Sequence, residues 1–478
     1  MKNGEKQIFD IAALKGMSCD VLGLGISNLP LVDMLLSVGA HVTAYDKKSR
    51  AELGDTATRL EALGVTLRLG EFPPSSLEGD VIFRSPGIRP DVPAIKNAVA
   101  RGAMLTSEME LFIKLTRANI IGITGSDGKT TTTTLTHLFL KKQAERHGTG
   151  KCYVGGNIGS PLLSKYKEMT VEDFAVLELS SFQLMTLGTP LSRCAITNLS
   201  PNHLNWHVDM DEYVAAKCNI FDDSSTLVLN AENAITADIA SKRKKNMILF
   251  SSKKNSYEKI VTAASSNTSA VFLRNGYIVF SDGVRECEIL RVSDIKLPGV
   301  HNIENYMTAI ALTYGLVDED IYTEVAKDFG GVPHRLEWIA QIDGVDCYNS
   351  SIDSSPTRTA AALSALPQKK VVICGGSDKN VPFAPLADAL ATSNVRCVIL
   401  TGDAAEKIRA ALSAANVDFE FTVEKDFTSA VHLARSKARA GDALLLSPAC
   451  ASFDRFKNFE ERGAFFKRII LELAKEKN

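Results

Sequence analysis

Paired cysteines, excess charge of either sign and long apolar runs are all missing from this 478-residue chain. Its nine cysteines form an odd set without a Cys-x-x-Cys pair, so the sequence offers neither a disulfide framework nor a structural zinc site. The 54 basic side chains are matched by 56 acidic ones, for a net charge of −2, which argues against a broad nucleic-acid-binding surface. Lys242-Arg-Lys-Lys245 is the one local exception, and a run of that length reads as a solvated helix end or loop. The longest uncharged apolar stretch near the start, Val21 to Val32, is interrupted by glycine and proline and is too short for a membrane span. Asp10 and Lys15 fall where a secretion signal needs an unbroken apolar core. No short-period repeat is present. These absences predict a soluble cytoplasmic protein with reduced thiols, no membrane span and no nucleic-acid partner.

What remains is an ordinary globular composition, 45% hydrophobic and 23% charged. At roughly 100–200 residues per domain the length suggests about three domains. Val21-Leu-Gly-Leu-Gly, His41 to Asp46 and Asp80 to Gly87 read as strands ending in turns, with a helix over Leu29–Val38. Asn119 to Gly125 opens a second alternating unit, continued by strands at Ala175–Leu179 and Cys194–Leu199. Ser251–Leu297 alternates without clear helices, as a small antiparallel section does, and Asn302–Leu316 reads as a helix. After Gly330-Gly-Val-Pro333 the pattern restarts with strands at Lys370–Gly376, Cys397–Gly402 and Asp442–Pro448. Strands alternating with helices imply parallel sheets. The expectation is an α/β chain of three units, 1–107, 108–331 and 332–478.

Gly122-Ile-Thr-Gly-Ser-Asp-Gly-Lys-Thr130 carries the strongest chemical signal. A strand runs into a glycine-rich loop and then a threonine-rich helix, so backbone N–H groups and the helix N-terminus can wrap a polyphosphate. Lys129 supplies a positive charge for the outer phosphates and the Thr130 hydroxyl a Mg²⁺ ligand. Ile123 stands where the strict phosphate-loop pattern has glycine. Gly23-Leu-Gly-Ile-Ser-Asn28 begins like a dinucleotide fingerprint, but Asn28 replaces the third glycine. Asp46 ends the next strand, near the place of a ribose-binding acid. Turn glycines or a nucleotide-like ligand both fit this unit; hydride transfer is not supported.

His203 and His207, four apart in Asn202-His-Leu-Asn-Trp-His-Val-Asp209, fit either two ligands on a helical face or a hydrogen-bonded pair. Glu178 ends an apolar strand before Ser-Ser. It suits either a solvated strand end or a carboxylate reaching Mg²⁺. Lys217, in Tyr213-Val-Ala-Ala-Lys217, reads by propensity as a surface helix lysine.

Together these motifs resemble the Mur ligases, the ATP-dependent amide-forming enzymes of peptidoglycan synthesis, along nearly the whole chain. The resemblance implies a Rossmann-like N-terminal sheet for the UDP-linked substrate, a central P-loop ATPase-like sheet and a Rossmann-like C-terminal domain for the amino acid. Gly122, Thr124, Gly125, Ser126, Asp127, Gly128, Lys129, Thr130 and Thr131 then correspond to the ATP loop. Asn302 and Asn305, in Leu297-Pro-Gly-Val-His-Asn-Ile-Glu-Asn305, correspond to the adenine contacts, and Arg335 to the arginine that enters the ATP site. The UDP substrate is implied near Ile26, Ser27, Asp46, Lys47 and Ser85, with Asn157 of Gly155-Gly-Asn-Ile-Gly159 on the muramoyl group. Glu178 and His203 resemble metal ligands alongside Thr130, and Lys217 the lysine that the family carbamylates, so two Mg²⁺ ions are implied.

The stretch Ser447 to Gly463 is similar to the D-glutamate-adding branch, with Ser452, Phe459, Ser354 and Lys379 at glutamate positions. The implied activity is ATP-dependent addition of D-glutamate to UDP-N-acetylmuramoyl-L-alanine through an acyl phosphate, by a monomer whose domains close before chemistry. One departure stands out. Where the family often has Asn-Asp-Ser-Lys-Ala-Thr-Asn, this chain has Asn349-Ser-Ser-Ile-Asp-Ser-Ser355. The ribose-contact acid is thus Ser350, the lysine is Ile352, and Asp353 is the acid left in the segment. A sibling ligase for another amino acid, a folate polyglutamylating enzyme and a P-loop ATPase without ligase chemistry are the competing readings. The UDP-site-like turn at the start weighs against the folate enzyme.

Overall fold

The computed structural model describes residues 11–475 except 205, 254–267, 298 and 379–381. The chain divides into two compact units, Met1–Asp328 and Phe329–Asn478. The first unit contains two sheets. In the first sheet, β1 (Ser18–Leu22), β2 (His41–Asp46), β3 (Thr66–Leu69), β4 (Val81–Arg84) and β5 (Met104–Thr106) lie in the order β3-β2-β1-β4-β5. Every pairing is parallel. The chain leaves β1 toward one edge and returns at β4 toward the other, which opens a crevice at the strand ends between them.

Nine strands form the second sheet among the described residues. They are β6 (Asn119–Thr124), β7 (Cys152–Gly156), β8 (Phe174–Glu178), β9 (Arg193–Ile196), β10 (Thr226–Asn230), β11 (Met247–Ser251), β12 (Thr268–Arg274), β13 (Tyr277–Ser281) and β14 (Glu286–Arg291). Their order is β14-β13-β12-β11-β10-β9-β6-β8-β7. The expected antiparallel section is β12 to β14; residues 254–267 of that stretch lie outside the described set. β6 sits between β8 and β9 and is buried after its first residue, which is why it reads as a near-continuous apolar run. The helix Lys129–His147 follows, bounded by left-handed glycines at Gly128 and Gly148. Its interior threonines turn their hydroxyls onto the preceding turn, Thr134 to the Thr130 carbonyl and Thr136 to that of Thr132, both at 2.8 Å.

The second unit has one sheet. It comprises β15 (Glu337–Ile342), β16 (Val345–Asn349), β17 (Lys370–Gly375), β18 (Val395–Thr401), β19 (Glu420–Val423) and β20 (Ala443–Leu446), ordered β15-β16-β20-β17-β18-β19. Only β15 and β16 pair antiparallel. The ends of β16, β17 and β20 adjoin, so the loops after Asn349, Gly375 and Leu446 come together at one edge of this sheet. All nine cysteines are free thiols. Among the described residues, no helix is long and apolar enough to cross a membrane.

Candidate active site

At the end of β6, the loop 125–128 needs two glycines. Gly125 and Gly128 have φ of 145° and 77°. A Cβ on Gly125 would strike the Thr197 hydroxyl, and one on Gly128 the side-chain oxygen of Asn305. The loop is clamped from β9 outward: the Asp127 amide donates to Asn198 Oδ1 at 2.9 Å, and the Thr197 hydroxyl donates to the Asp127 carbonyl at 2.6 Å. The sequence pattern did not single out Thr197 and Asn198; their position just past a buried strand beside a glycine loop is the signal that marks them. Lys129 folds its ammonium onto the Ser126 carbonyl at 2.9 Å. Beside the loop, Asp127, Gly128, His301, Asn305 and Thr308 line a cavity of about 140 Å³. Asn305 accepts from the Thr132 hydroxyl at 3.3 Å and donates to Asn302 at 3.3 Å.

Lys217 overturns its propensity reading. The helix Met210–Cys218 turns this side chain inward, and only 2% of the residue is exposed. Its ammonium donates to the Thr124 hydroxyl at 3.1 Å and the Gly125 carbonyl at 2.8 Å. Burial, reinforced by the nearby Lys129 charge, lowers its pKa from 10.5 to about 7. Tyr213, one helical turn earlier, packs its ring 4.8 Å from the ammonium and bonds its hydroxyl to Ser126 at 2.9 Å. The i, i+4 spacing of an aromatic and a lysine is the signal for that pairing.

Glu178 ends β8 with 2% exposure. One carboxylate oxygen accepts from the Asn157 amide at 2.8 Å; the other is buried with no hydrogen-bond partner. A buried carboxylate oxygen left unpaired is costly, and a divalent cation would satisfy it. Asn157 is held there by its own amide, which donates to the Glu178 carbonyl at 2.8 Å.

The histidine pair separates into two roles, because the described residues of 202–209 form turns and bends rather than a helix. His207 is buried and occupies both nitrogens, with Glu212 at 3.0 Å and the Ser181 hydroxyl at 2.9 Å. It is the hydrogen-bonded alternative. His203 has a φ of 57° and lies near the surface, its ring 4.9 Å from Phe182. Partial burial and the charges of Lys129 and Lys217 lower its pKa, which favours the neutral imidazole. Among the described residues, no three His, Cys, Asp or Glu side chains cluster as a metal site. A lysine with its pKa lowered to about 7 carries a substantial neutral fraction near pH 7, the form that can react as a nucleophile.

In the first sheet, Asn28 closes the turn in place of a glycine. Its amide donates to the Gly23 carbonyl at 2.8 Å and the Ser85 hydroxyl at 3.0 Å, tying β1 to the end of β4. Asp46 is buried and accepts from the Leu24 amide at 2.7 Å and the Lys48 amide at 2.9 Å. Ile26, Ser27 and Lys47 are exposed around that turn.

In the second unit, Arg462 organises the loops. It is 2% exposed and donates to the carbonyls of Ser351, Cys450 and Ala451 at 2.9, 3.1 and 3.0 Å. The buried Ser452 and the half-buried Phe459 lie on the same framework, and the Ser351 hydroxyl donates to the Phe459 carbonyl at 2.8 Å. Ser354 lies two residues beyond Ile352, whose carbonyl its amide bonds at 2.8 Å. His334, beside Arg335, packs edge-on to Phe459 with ring centroids 6.1 Å apart. Ser350 accepts from the Leu336 amide at 3.1 Å. The Asp353 carboxylate is buried and bonds the Ser447 hydroxyl at 2.8 Å; burial raises its pKa. Lys379 lies outside the described residues.

The glycine loop at a helix N-terminus, with Lys129 on it, makes this end of β6 a phosphate-binding site of the kind that nucleotide-binding α/β proteins use. Residues 17–107 match the description "Mur ligase MurD-like, N-terminal domain", 123–313 "Mur ligase middle domain" and 334–450 "Mur ligase, glutamate ligase domain". The chain belongs to the Mur ligase family. It is 44% identical to UDP-N-acetylmuramoylalanine–D-glutamate ligase of Acetivibrio thermocellus, over 96% of this chain and 97% of that protein. To the protein of the same name from Clostridium novyi it is 45% identical, over 95% and 96%. The solved structure of MurF from Acinetobacter baumannii shares the fold, with a TM-score of 0.51 at 14% identity over 98% of this chain and 92% of that one.

Proposed function

We propose that this chain is an ATP-dependent ligase that joins D-glutamate to UDP-N-acetylmuramoyl-L-alanine in peptidoglycan precursor synthesis, working as a cytoplasmic monomer. The observation that carries the reading is the 44–45% identity, along nearly the full length of both chains, to relatives named for that reaction. The glycine loop, the buried Lys217 and the unpaired Glu178 oxygen support its nucleotide and metal parts. A carboxylate is a poor acyl donor because oxide would have to leave, so its oxygen first attacks the γ-phosphorus of ATP and ADP departs. The D-glutamate amine then attacks the carbonyl carbon of the acyl phosphate, a proton is lost, and phosphate leaves as the amide forms.

The protein's share is positioning and charge neutralisation. Lys129 neutralises the β- and γ-phosphates, the 122–131 loop cradles them, and Asn302, Asn305 and Arg335 hold the rest of the nucleotide. Mg²⁺, as two ions, supplies charge at the phosphate oxygens when bound by Thr130 and by Glu178, His203 and Lys217. Lys217 becomes a ligand when its neutral amine adds CO₂: an N–C bond forms, a proton leaves, and an anionic carbamate with two oxygens results. Ile26, Ser27, Asp46, Lys47, Ser85 and Asn157 hold the UDP substrate. Ser354, Lys379, Ser452 and Phe459 hold D-glutamate.

Phosphate release from ATP, measured with UDP-N-acetylmuramoyl-L-alanine and individual D- and L-amino acids, tests the reading. Release that depends on D-glutamate is expected. Dependence on another amino acid identifies a sibling ligase, and release indifferent to amino acids a plain ATPase.

A further inference from the structure

The segments that carry His203 and Lys217 meet one arginine from the loop after β4, and the segment after Glu178 is joined to them through His207. Arg89 lies five residues past the end of β4, on the segment that starts with Ser85. Its guanidinium grips Asp91 through Nε and Nη2, both at 2.9 Å, and Glu212 through Nη2 at 2.8 Å and Nη1 at 3.1 Å. It also stands 5.1 Å from the centre of the Trp206 ring and donates to the Trp206 carbonyl at 2.5 Å.

Each partner is close in sequence to a candidate ligand. Trp206 is three residues beyond His203. Glu212 is five residues before Lys217 on the same helix, and its carboxylate also accepts from the Val208 amide at 3.0 Å. His207, bonded to Glu212, reaches Ser181, three residues beyond Glu178. The Arg89 side chain is only 22% exposed, and the far end of this chain of bonds, His207, is fully covered. The usual reservation about surface ion pairs applies to Asp91, whose side chain is 42% exposed, and less to Glu212, which is 24% exposed.

We propose that Arg89 is a positioning residue for the reaction, fixing the His203 loop and the Lys217 helix against the substrate-binding sheet. It touches none of the reacting groups. Its five donors in a planar fork hold two carboxylates and a carbonyl at once, which a lysine cannot reproduce. Because the same segment begins at Ser85, which Asn28 ties to the Gly23 turn, Arg89 links the crevice of the first sheet to the His203 loop and the Lys217 helix, beside Arg84, which bonds the Phe182 carbonyl at 2.7 Å and the Thr186 hydroxyl at 3.0 Å. This inference rests on the proposed function and names a residue the family resemblance did not supply.

The test uses the full chain with Arg89→Met, Arg89→Lys and Glu212→Gln. Both Arg89 variants are expected to lose about 10–100-fold in kcat, as outer-shell substitutions do. KM for ATP should stay within about twofold, since the loop clamps at Asn198 and Thr197 are untouched. Mn²⁺ binding to the ATP-loaded protein, followed by electron paramagnetic resonance, should weaken by about tenfold. Glu212→Gln should behave alike, and the double variant should be no worse than either single one; should Arg89→Met not fold, Glu212→Gln carries the test. Unchanged kcat and Mn²⁺ affinity with a lowered melting temperature would reduce Arg89 to a structural brace and overturn the proposal. Full activity in Arg89→Lys would also overturn it. Wild-type protein inert with D-glutamate defeats the proposed function and this inference with it; an active wild type with unimpaired variants defeats this inference alone.

Discussion

In each of the first two sheets a central parallel strand, β1 or β6, runs into glycines and then a helix. The two turns differ in the charge that surrounds them. At the Gly23 turn the buried Asp46 carboxylate accepts the Leu24 amide at 2.7 Å, and Asn28 ties the turn to Ser85. At the Gly125–Gly128 loop the nearby charges include two ammonium groups, Lys129 on the loop carbonyl and Lys217 beneath it. The first turn already has a carboxylate among its bonds, whereas the second presents Lys129 and backbone amides at a helix N-terminus, where a polyphosphate is stabilised. A glycine turn is therefore a scaffold, and the residues packed against it from other strands decide what it holds.

The comparison breaks most sharply at Lys129. Replacing it with alanine should cost at least about a hundredfold in amide formation, the scale for losing a group aimed at developing charge. The fold should be intact by circular dichroism, since the Lys129 side chain is only partly buried. Near-normal turnover in a folded Lys129→Ala protein would remove the ATP-loop assignment.

Lys217→Ala comes next. It should be nearly inactive in phosphate release, and short-chain carboxylic acids should restore part of the activity by refilling the anion position. Wild-type activity in this variant would sink the carbamate reading.

A third effect is on stability. The folded Lys217 pKa of about 7 lies below the ordinary 10.5. Between those values the unfolded chain binds a proton that the folded chain does not. Stability in CO₂-depleted buffer should therefore rise with pH from about 7 toward 10.5, and the burden on the fold should be fully present below 7. Urea melts across that range should show the slope in the wild type and a flatter profile in Lys217→Met. An identical slope in both would assign the effect elsewhere.

The smallest effect sharpens the other side. Asp46→Ala leaves the buried Leu24 amide without its acceptor and should destabilise the chain by about 1–3 kcal/mol, read as a lower urea midpoint. It should leave KM for ATP unchanged. A shift in KM for ATP instead would mean that the two turns are not separate ligand sites.

Much of this was legible in the sequence for one reason: strands buried on both faces are written as short apolar runs, and glycines mark where they end. The runs at Val21, Asn119, Ala175 and Lys370 all became core strands, and the antiparallel section after Ser251 was visible as alternation. The amide ties of Asn28 were not legible, because a residue read only as a missing glycine gives no hint that its side chain can close the turn by hydrogen bonding to β4. Nor was the split between His203 and His207, since spacing of four suggests a helix that the chain does not form there.

The sequence by itself determined the alternation of strands and helices, the phosphate-type loop and the motif order that places the chain among the Mur ligases, because these depend on residues close together along the chain. Tertiary structure alone decided that Lys217 is buried with its pKa lowered to about 7, that one Glu178 oxygen lacks a partner, and that Arg89 joins two sheets. Each of those properties arises from desolvation and from partners up to 123 residues away, and such distances along the chain leave no mark on local pattern.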